Sequence, residues 1–205
     1  MLILPLKPAK FYNHQEATLM KKVLLILVLL TLFVPHAFAL KIAGIKLQDK
    51  LEADGTQLIL NGAGVRKKFF FKVYAGGLYL KKKCSNPKAI IDADEPMIIR
   101  MHWVYDGVEA KKITAAWDRG FESGTGEKIK SIQQEIKTFN GFFTNEAKEN
   151  DIYDIIYTPQ KGIQVVMNGK LKGTIKGLEF KKAVFSIWLG NNDELSSVKK
   201  GMLGN

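Results

Sequence analysis

Residues 62–80, Gly62-Ala63-Gly64-Val65-Arg66-Lys67-Lys68-Phe69-Phe70-Phe71-Lys72-Val73-Tyr74-Ala75-Gly76-Gly77-Leu78-Tyr79-Leu80, place one arginine inside an otherwise apolar strand pair. Gly62 and Gly64 let other backbone approach closely, or let the strand bulge, so the long side chain of Arg66 can turn inward. An inward guanidinium must find an anion. An arginine beside two lysines is ordinarily a snorkelling surface residue or half of a structural ion pair, and the spacing alone leaves that alternative open. Lys67, Lys68 and Lys72 are expected to be solvated.

A second constraint comes from Met20-Lys21-Lys22, the apolar run Val23 to Val34 and Pro35-His36-Ala37-Phe38-Ala39. A positive start, a short apolar stretch and an Ala-x-Ala site read as a secretory signal peptide. The run falls short of the roughly 20 apolar residues that span a bilayer. Cleavage after Ala39 would release a periplasmic or secreted chain beginning at Leu40, and no cysteine follows the cut to take a lipid; an uncleaved anchor is the alternative. Residues 1–19 precede a complete signal peptide and contain Pro5 and Pro8, so they read as an extension ahead of a true start at Met20. The expected organisation is an extension over 1–19, a signal peptide over 20–39 and one domain over 40–205.

Four of the 31 Lys+Arg and one of the 20 Asp+Glu lie in residues 1–39, so the remainder holds 27 against 19, a net charge of +8. That length suits one domain able to bury a core without staples. Cys84 is the single cysteine and His102 the one histidine after residue 39. An internal disulfide is therefore excluded, and the usual zinc sites cannot be assembled. No metal or other cofactor is expected. His102 falls in the alternating run Met97-Ile98-Ile99-Arg100-Met101-His102-Trp103-Val104 and reads as a strand residue. Cys84, beside Ser85-Asn86-Pro87, reads as an inert thiol.

Along the rest of the chain, Ile42 to Leu47 and Gln57 to Asn61 read as strands around a turn at Asp54-Gly55, followed by a long hairpin from Val65 to Lys81. Asn86 to Asp92 reads as a short helix with Pro87 in its first turn. Asp106-Gly107-Val108-Glu109 carries a capping residue with glutamate three positions on, predicting a helix to about Phe121. Thr125 or Gly126 opens another, with Ile129, Ile132, Ile136 and Phe139 on one face and Asn140-Gly141 at its end. Strands return at Asp151 to Thr158 and Ile163 to Met167. Asn168-Gly169 is a tight-turn dipeptide leading into Lys170 to Ile175. Leu178, Val184, Ile187 and Trp188 predict a final amphipathic helix ending at Gly190. Helices clustered between antiparallel strands argue for an α+β domain.

The 62–80 segment resembles the signature of the chalcone isomerase superfamily, in which a Gly-small-Gly-Val-Arg strand leads into one ending Gly-apolar-Tyr-apolar. The resemblance continues from about Gly44 to Leu203 through the Asn168-Gly169 hairpin, Gly173-Thr174-Ile175-Lys176-Gly177, Phe180, Ala183 and Ile187-Trp188-Leu189-Gly190. It implies the chalcone isomerase-like fold, a large antiparallel sheet covered on one side by helices with a ligand between, and looks like the exported bacterial branch.

The resemblance also implies a chemistry to test, the closure of a chalcone phenolate onto its enone. Plant-type members hold the phenolate and polarise the ketone through an arginine, a strand threonine, a helix tyrosine and asparagine, and a threonine or serine on the last helix. Arg66 matches the arginine. The strand threonine falls at Tyr74, which still offers a hydroxyl. The helix tyrosine falls at Ala110, the asparagine at Trp117 and the last-helix hydroxyl at Ile187. If any catalytic groups survive, they are Arg66 and Tyr74.

An apolar pocket with one cation and one phenol suits an alkyl or aryl carboxylate. Its anion would pair with the planar fork of Arg66 and accept from Tyr74, and its tail would lie among Phe69, Phe71, Ile113, Trp117 and Ile187. Fatty-acid binding is also what the resemblance to non-catalytic members implies. An intramolecular lyase of chalcone isomerase type is the alternative, and a structural or partner-binding role the third. Lys81-Lys82-Lys83, Lys111-Lys112, Lys181-Lys182 and Lys199-Lys200 could touch an anionic membrane surface, or be ordinary solvated faces. Nucleic acid is not an expected partner of an exported chain.

Overall fold

The computed structural model describes residues 40–204; the expected extension and signal peptide lie outside them. Ala43 and Gly44 take positive φ, so the segment expected as one strand folds back into a minimal hairpin, β1 (Lys41–Ile42) and β2 (Ile45–Lys46). A seven-stranded antiparallel meander follows, each strand pairing with its neighbours in sequence. Its members are β3 (Lys50–Ala53), β4 (Thr56–Lys68), β5 (Phe71–Leu80), β6 (Met97–Trp103), β7 (Ile152–Thr158), β8 (Gly162–Met167) and β9 (Lys170–Ile175). Strand β4 is continuous over 13 residues, joining two segments that the sequence reading kept apart.

Five α-helices complete the described residues: α1 (Pro87–Asp92), α2 (Ala110–Thr125), α3 (Gln133–Asn140), α4 (Leu178–Leu189) and α5 (Ser196–Met202), with 3-10 turns at Gly126–Ile132 and Asp193–Leu195. Asn86 caps α1, its side-chain oxygen accepting from the Ala89 N–H at 3.1 Å. The expected cap of α2 is displaced. Val108 instead pairs with Ala147 in an isolated bridge, the Asp106 carboxylate accepts from the Glu149 N–H at 3.2 Å, and helix begins at Ala110.

Side-chain alternation gives the sheet two faces. Tyr74, Leu78, Ile99, Met101, Trp103 and Ile155 join the helices in the main core. On the other face Leu58, Leu60, Tyr79 and Ile98 pack with Leu47 and Ala53 in a smaller cluster. The helices thus cover one side of an antiparallel sheet, an α+β architecture.

Gly62 and Gly64 seat α5 directly on the β4 backbone. A Cβ at Gly62 would lie 2.2 Å from the Gly201 carbonyl oxygen, and one at Gly64 would lie 2.6 Å from the Val198 Cα. Asn61 ties the helix end down, its amide donating to the Met202 carbonyl at 2.7 Å. Ser197 Oγ donates to the Val65 carbonyl at 3.1 Å. Helix α5 carries no local sequence signal, yet it seats the segment after Gly190 on the strand carrying Arg66.

Helix α4 is buried almost all round rather than amphipathic. Lys181, expected in a solvated pair, is fully buried and donates to the carbonyls of Ile90, Ile91 and Ala93 at 2.8, 2.8 and 2.7 Å. Those are acceptors that the end of α1 would otherwise leave orphaned. Its ammonium also lies 5.1 Å from the Phe185 ring centroid, and burial pushes its pKa down to about 8. No described helix is long and apolar enough to cross a membrane.

Candidate functional site

Residues 62, 64 and 66 share a face of β4 by strand alternation: two glycines receive α5, and Arg66 emerges where that helix has not yet begun. Directly across the register from Arg66 stands Tyr74 on β5, with a bulge between Arg66 and Lys67. The Arg66 side chain is only 11% exposed. Its Nη2 meets Glu194 Oε2 at 3.2 Å. The 3-10 turn at Asp193–Leu195 presents that carboxylate, capped by Asn192, whose Oδ1 accepts from the Glu194 N–H at 3.1 Å. Glu194 also reaches Arg119 of α2, 3.4 Å from its Nε. Burial pushes the Glu194 carboxyl up, but the Arg66 hydrogen bond and the Arg119 charge outweigh it and hold the group below its ordinary value.

Tyr74 is fully enclosed, and its oxygen accepts from Trp188 Nε1 at 3.0 Å. Burial raises its pKa against the opposing pull of Arg66 and Trp188, so the phenol stays protonated and able to donate. Arg66 and Tyr74 line a cavity of about 270 Å³ whose walls include Val73, Trp103, Val108, Ile113, Ala116, Trp117 and Leu195. The indole nitrogens of Trp103 and Trp117 are buried without a hydrogen-bond partner. Every ionisable wall residue other than the tyrosines is a cation: Arg66, Lys68, Lys112 and Arg119. No carboxylate, histidine, thiol or aliphatic hydroxyl is among the wall residues. The ionisable lining thus favours a negatively charged group electrostatically.

Of the residues expected at a ligand, Arg66, Tyr74, Ile113 and Trp117 come together in the cavity wall. Phe69 and Phe71 also border it, but as rim residues 84% and 57% exposed rather than as an enclosed lining. Ile187 is a correction. It is buried away from the cavity against α2, where its methyl lies 2.7 Å from the Cβ position of Gly120. His102 sits on β6 outside the cavity, its pKa lowered by burial, and Cys84 is half-buried with no bonded partner sulfur.

The sequence reading missed Trp103, Glu194 and Arg119. Trp103 was within reach, since Met97, Ile99, Met101 and Trp103 alternate on the core face of β6. Nothing local pairs residue 66 with residue 194.

A family model described as chalcone isomerase-like matches residues 39–204. The chain is also similar in structure to an Arabidopsis thaliana fatty-acid binding protein, AtFAP1. That crystal structure superposes with a TM-score of 0.66 at 16% identity, covering 82% of this chain and 96% of that one. No curated protein matches the sequence.

Proposed function

This chain belongs to the chalcone isomerase-like family, and we propose that it binds a fatty acid or a similar amphipathic carboxylate, with Arg66 as the anchor. The observation that carries the reading is a buried guanidinium directly across the register from a protonated phenol, both in the wall of an apolar cavity whose other ionisable lining is cationic or phenolic. A carboxylate offers about four lone-pair sites to such donors at once. The fatty-acid binding named for AtFAP1 supports the same reading through the shared fold.

The cavity lies just under the roughly 300–1,000 Å³ of typical ligand pockets. The ligand is accordingly a short or slender chain, or one whose tail leaves through the rim at Phe69 and Phe71. Its head displaces Glu194 from Arg66. The protein acts after export, with residues 20–39 removed, a reading supported by Ala37-Phe38-Ala39.

Mass spectrometry of small molecules released from the purified protein tests the binding reading. Carboxylic acids recovered in near-stoichiometric amount are expected. Recovery of neutral or cationic compounds alone would refute it.

A further inference from the structure

The tip of the β4–β5 hairpin is the one place among the described residues where three large apolar side chains in a row face solvent. Phe69, Phe70 and Phe71 are 84%, 98% and 57% exposed. Phe69 and Phe70 make a two-residue turn, where Asn-Gly or Asp-Gly would ordinarily stand. Phe69 holds a positive φ of 53°, which a bulky side chain rarely accepts. A tip that only had to close a hairpin would not carry these residues.

The charge along the hairpin itself has one sign. Lys67, Lys68 and Lys72 flank the phenylalanines, all exposed and in no ion pair among the described residues, and the chain has no acidic residue between Asp54 and Asp92. Consecutive strand and turn residues send their side chains in different directions, so a protein groove would have to enclose a convex tip from several sides. A fluid bilayer accepts such a tip without a matching shape, and its anionic headgroups would meet the lysines.

We propose that this hairpin tip docks the protein on an anionic lipid surface, with Phe70 entering the acyl boundary and Lys67, Lys68 and Lys72 at headgroup level. Phe69 and Phe71 also form the cavity rim, so docking opens the cavity toward the membrane. The docking itself goes beyond the carboxylate reading and stands or falls apart from it.

A tip-local reporter on the full chain tests this, because the apolar run at Val23 to Val34 could itself hold vesicles. An environment-sensitive fluorophore is placed at Phe70→Cys, and in a second protein at Lys170→Cys beside the β8–β9 turn, both with Cys84→Ser. With vesicles of equal parts phosphatidylcholine and phosphatidylglycerol, the label at 70 is expected to shift to the blue and brighten, and the label at 170 to stay in water. Phe70→Asp, at a fully exposed position, should melt like wild type and lower the vesicle partition coefficient about tenfold or more. Exchanging the three lysines for glutamine should abolish the preference over pure phosphatidylcholine. A label at 70 that stays in water while the protein sediments with vesicles would overturn the proposal. So would a Phe70→Asp variant that loses self-association in light scattering with vesicle partition unchanged, which would make the tip a contact between copies of this chain.

Discussion

Replacing Glu194 with glutamine should tighten fatty-acid binding. Its carboxylate sits 3.2 Å from Arg66 and 3.4 Å from Arg119, and on the proposed reading it competes with the ligand's carboxylate for Arg66. With Glu194 half exposed, each contact is a screened pair of about 0.2–1 kcal/mol. Removing both lowers the competition by about 0.4–2 kcal/mol, or roughly 2- to 30-fold in Kd. Calorimetric titration of dodecanoate into both proteins reads this directly. The gain should shrink at high salt, where exposed charges are screened. Because the Glu194 carboxyl is held below its ordinary value, its pairing with the arginines is complete above the ordinary glutamate range. That pairing is lost as pH falls through the depressed value, so the competition persists into mild acid. Weaker binding by Glu194→Gln would show that the carboxylate orients Arg66 for the ligand rather than competing with it. Equal binding at low salt would show that the ligand's head does not meet Arg66.

Three further outcomes are expected. Lys181 has a folded-state pKa of about 8 against an ordinary 10.5, so the unfolded chain holds the proton more tightly between those values. Unfolding free energy should therefore rise with pH across that window relative to Lys181→Met, by on the order of 3 kcal/mol; parallel denaturant curves from neutral to alkaline pH check it, and identical slopes would contradict it. Gly64→Ala should force α5 off the β4 backbone and lower stability by about 1–3 kcal/mol, seen as a drop in Tm, whereas an unchanged Tm would deny the close approach. Because the resemblance implies Ala110, Trp117 and Ile187 where plant-type members carry hydrogen-bonding groups, a 2′-hydroxychalcone should cyclise no faster with the protein than without, followed by absorbance; a stereoselective flavanone product would revive the isomerase reading.

How much was legible in the sequence depended on how local each signal was. The Asn168-Gly169 turn, Pro87 in the first turn of α1 and the inward Arg66 beside its glycines are written in neighbouring residues, and each has the predicted place. Arg66 and Tyr74 could be joined because one hairpin brings them into register. The Glu194 bridge spans 128 residues and depends on α5 lying on two glycines. The glycines hinted at a close approach without naming the partner. Ile187 was misplaced because α4, buried all round, offers no polar face to orient it. Lys181 was read as solvated for a related reason, since its carbonyl partners lie at the end of α1 about 90 residues earlier.

The central claim, that the carboxylate is anchored on Arg66 inside the cavity, is tested most directly by titrating one fluorescent fatty acid against wild type, Arg66→Ala, Tyr74→Phe and Lys67→Ala, with circular dichroism confirming that each folds. Arg66→Ala should lose on the order of 2–5 kcal/mol, mainly as faster release. Tyr74→Phe should lose less, about 0.5–1.5 kcal/mol, or up to roughly 3 if its hydroxyl donates to the charged carboxylate. Lys67→Ala, exposed on the far side of the bulge, should bind as wild type does. Wild-type affinity in Arg66→Ala, with or without a loss in Lys67→Ala, would contradict the account.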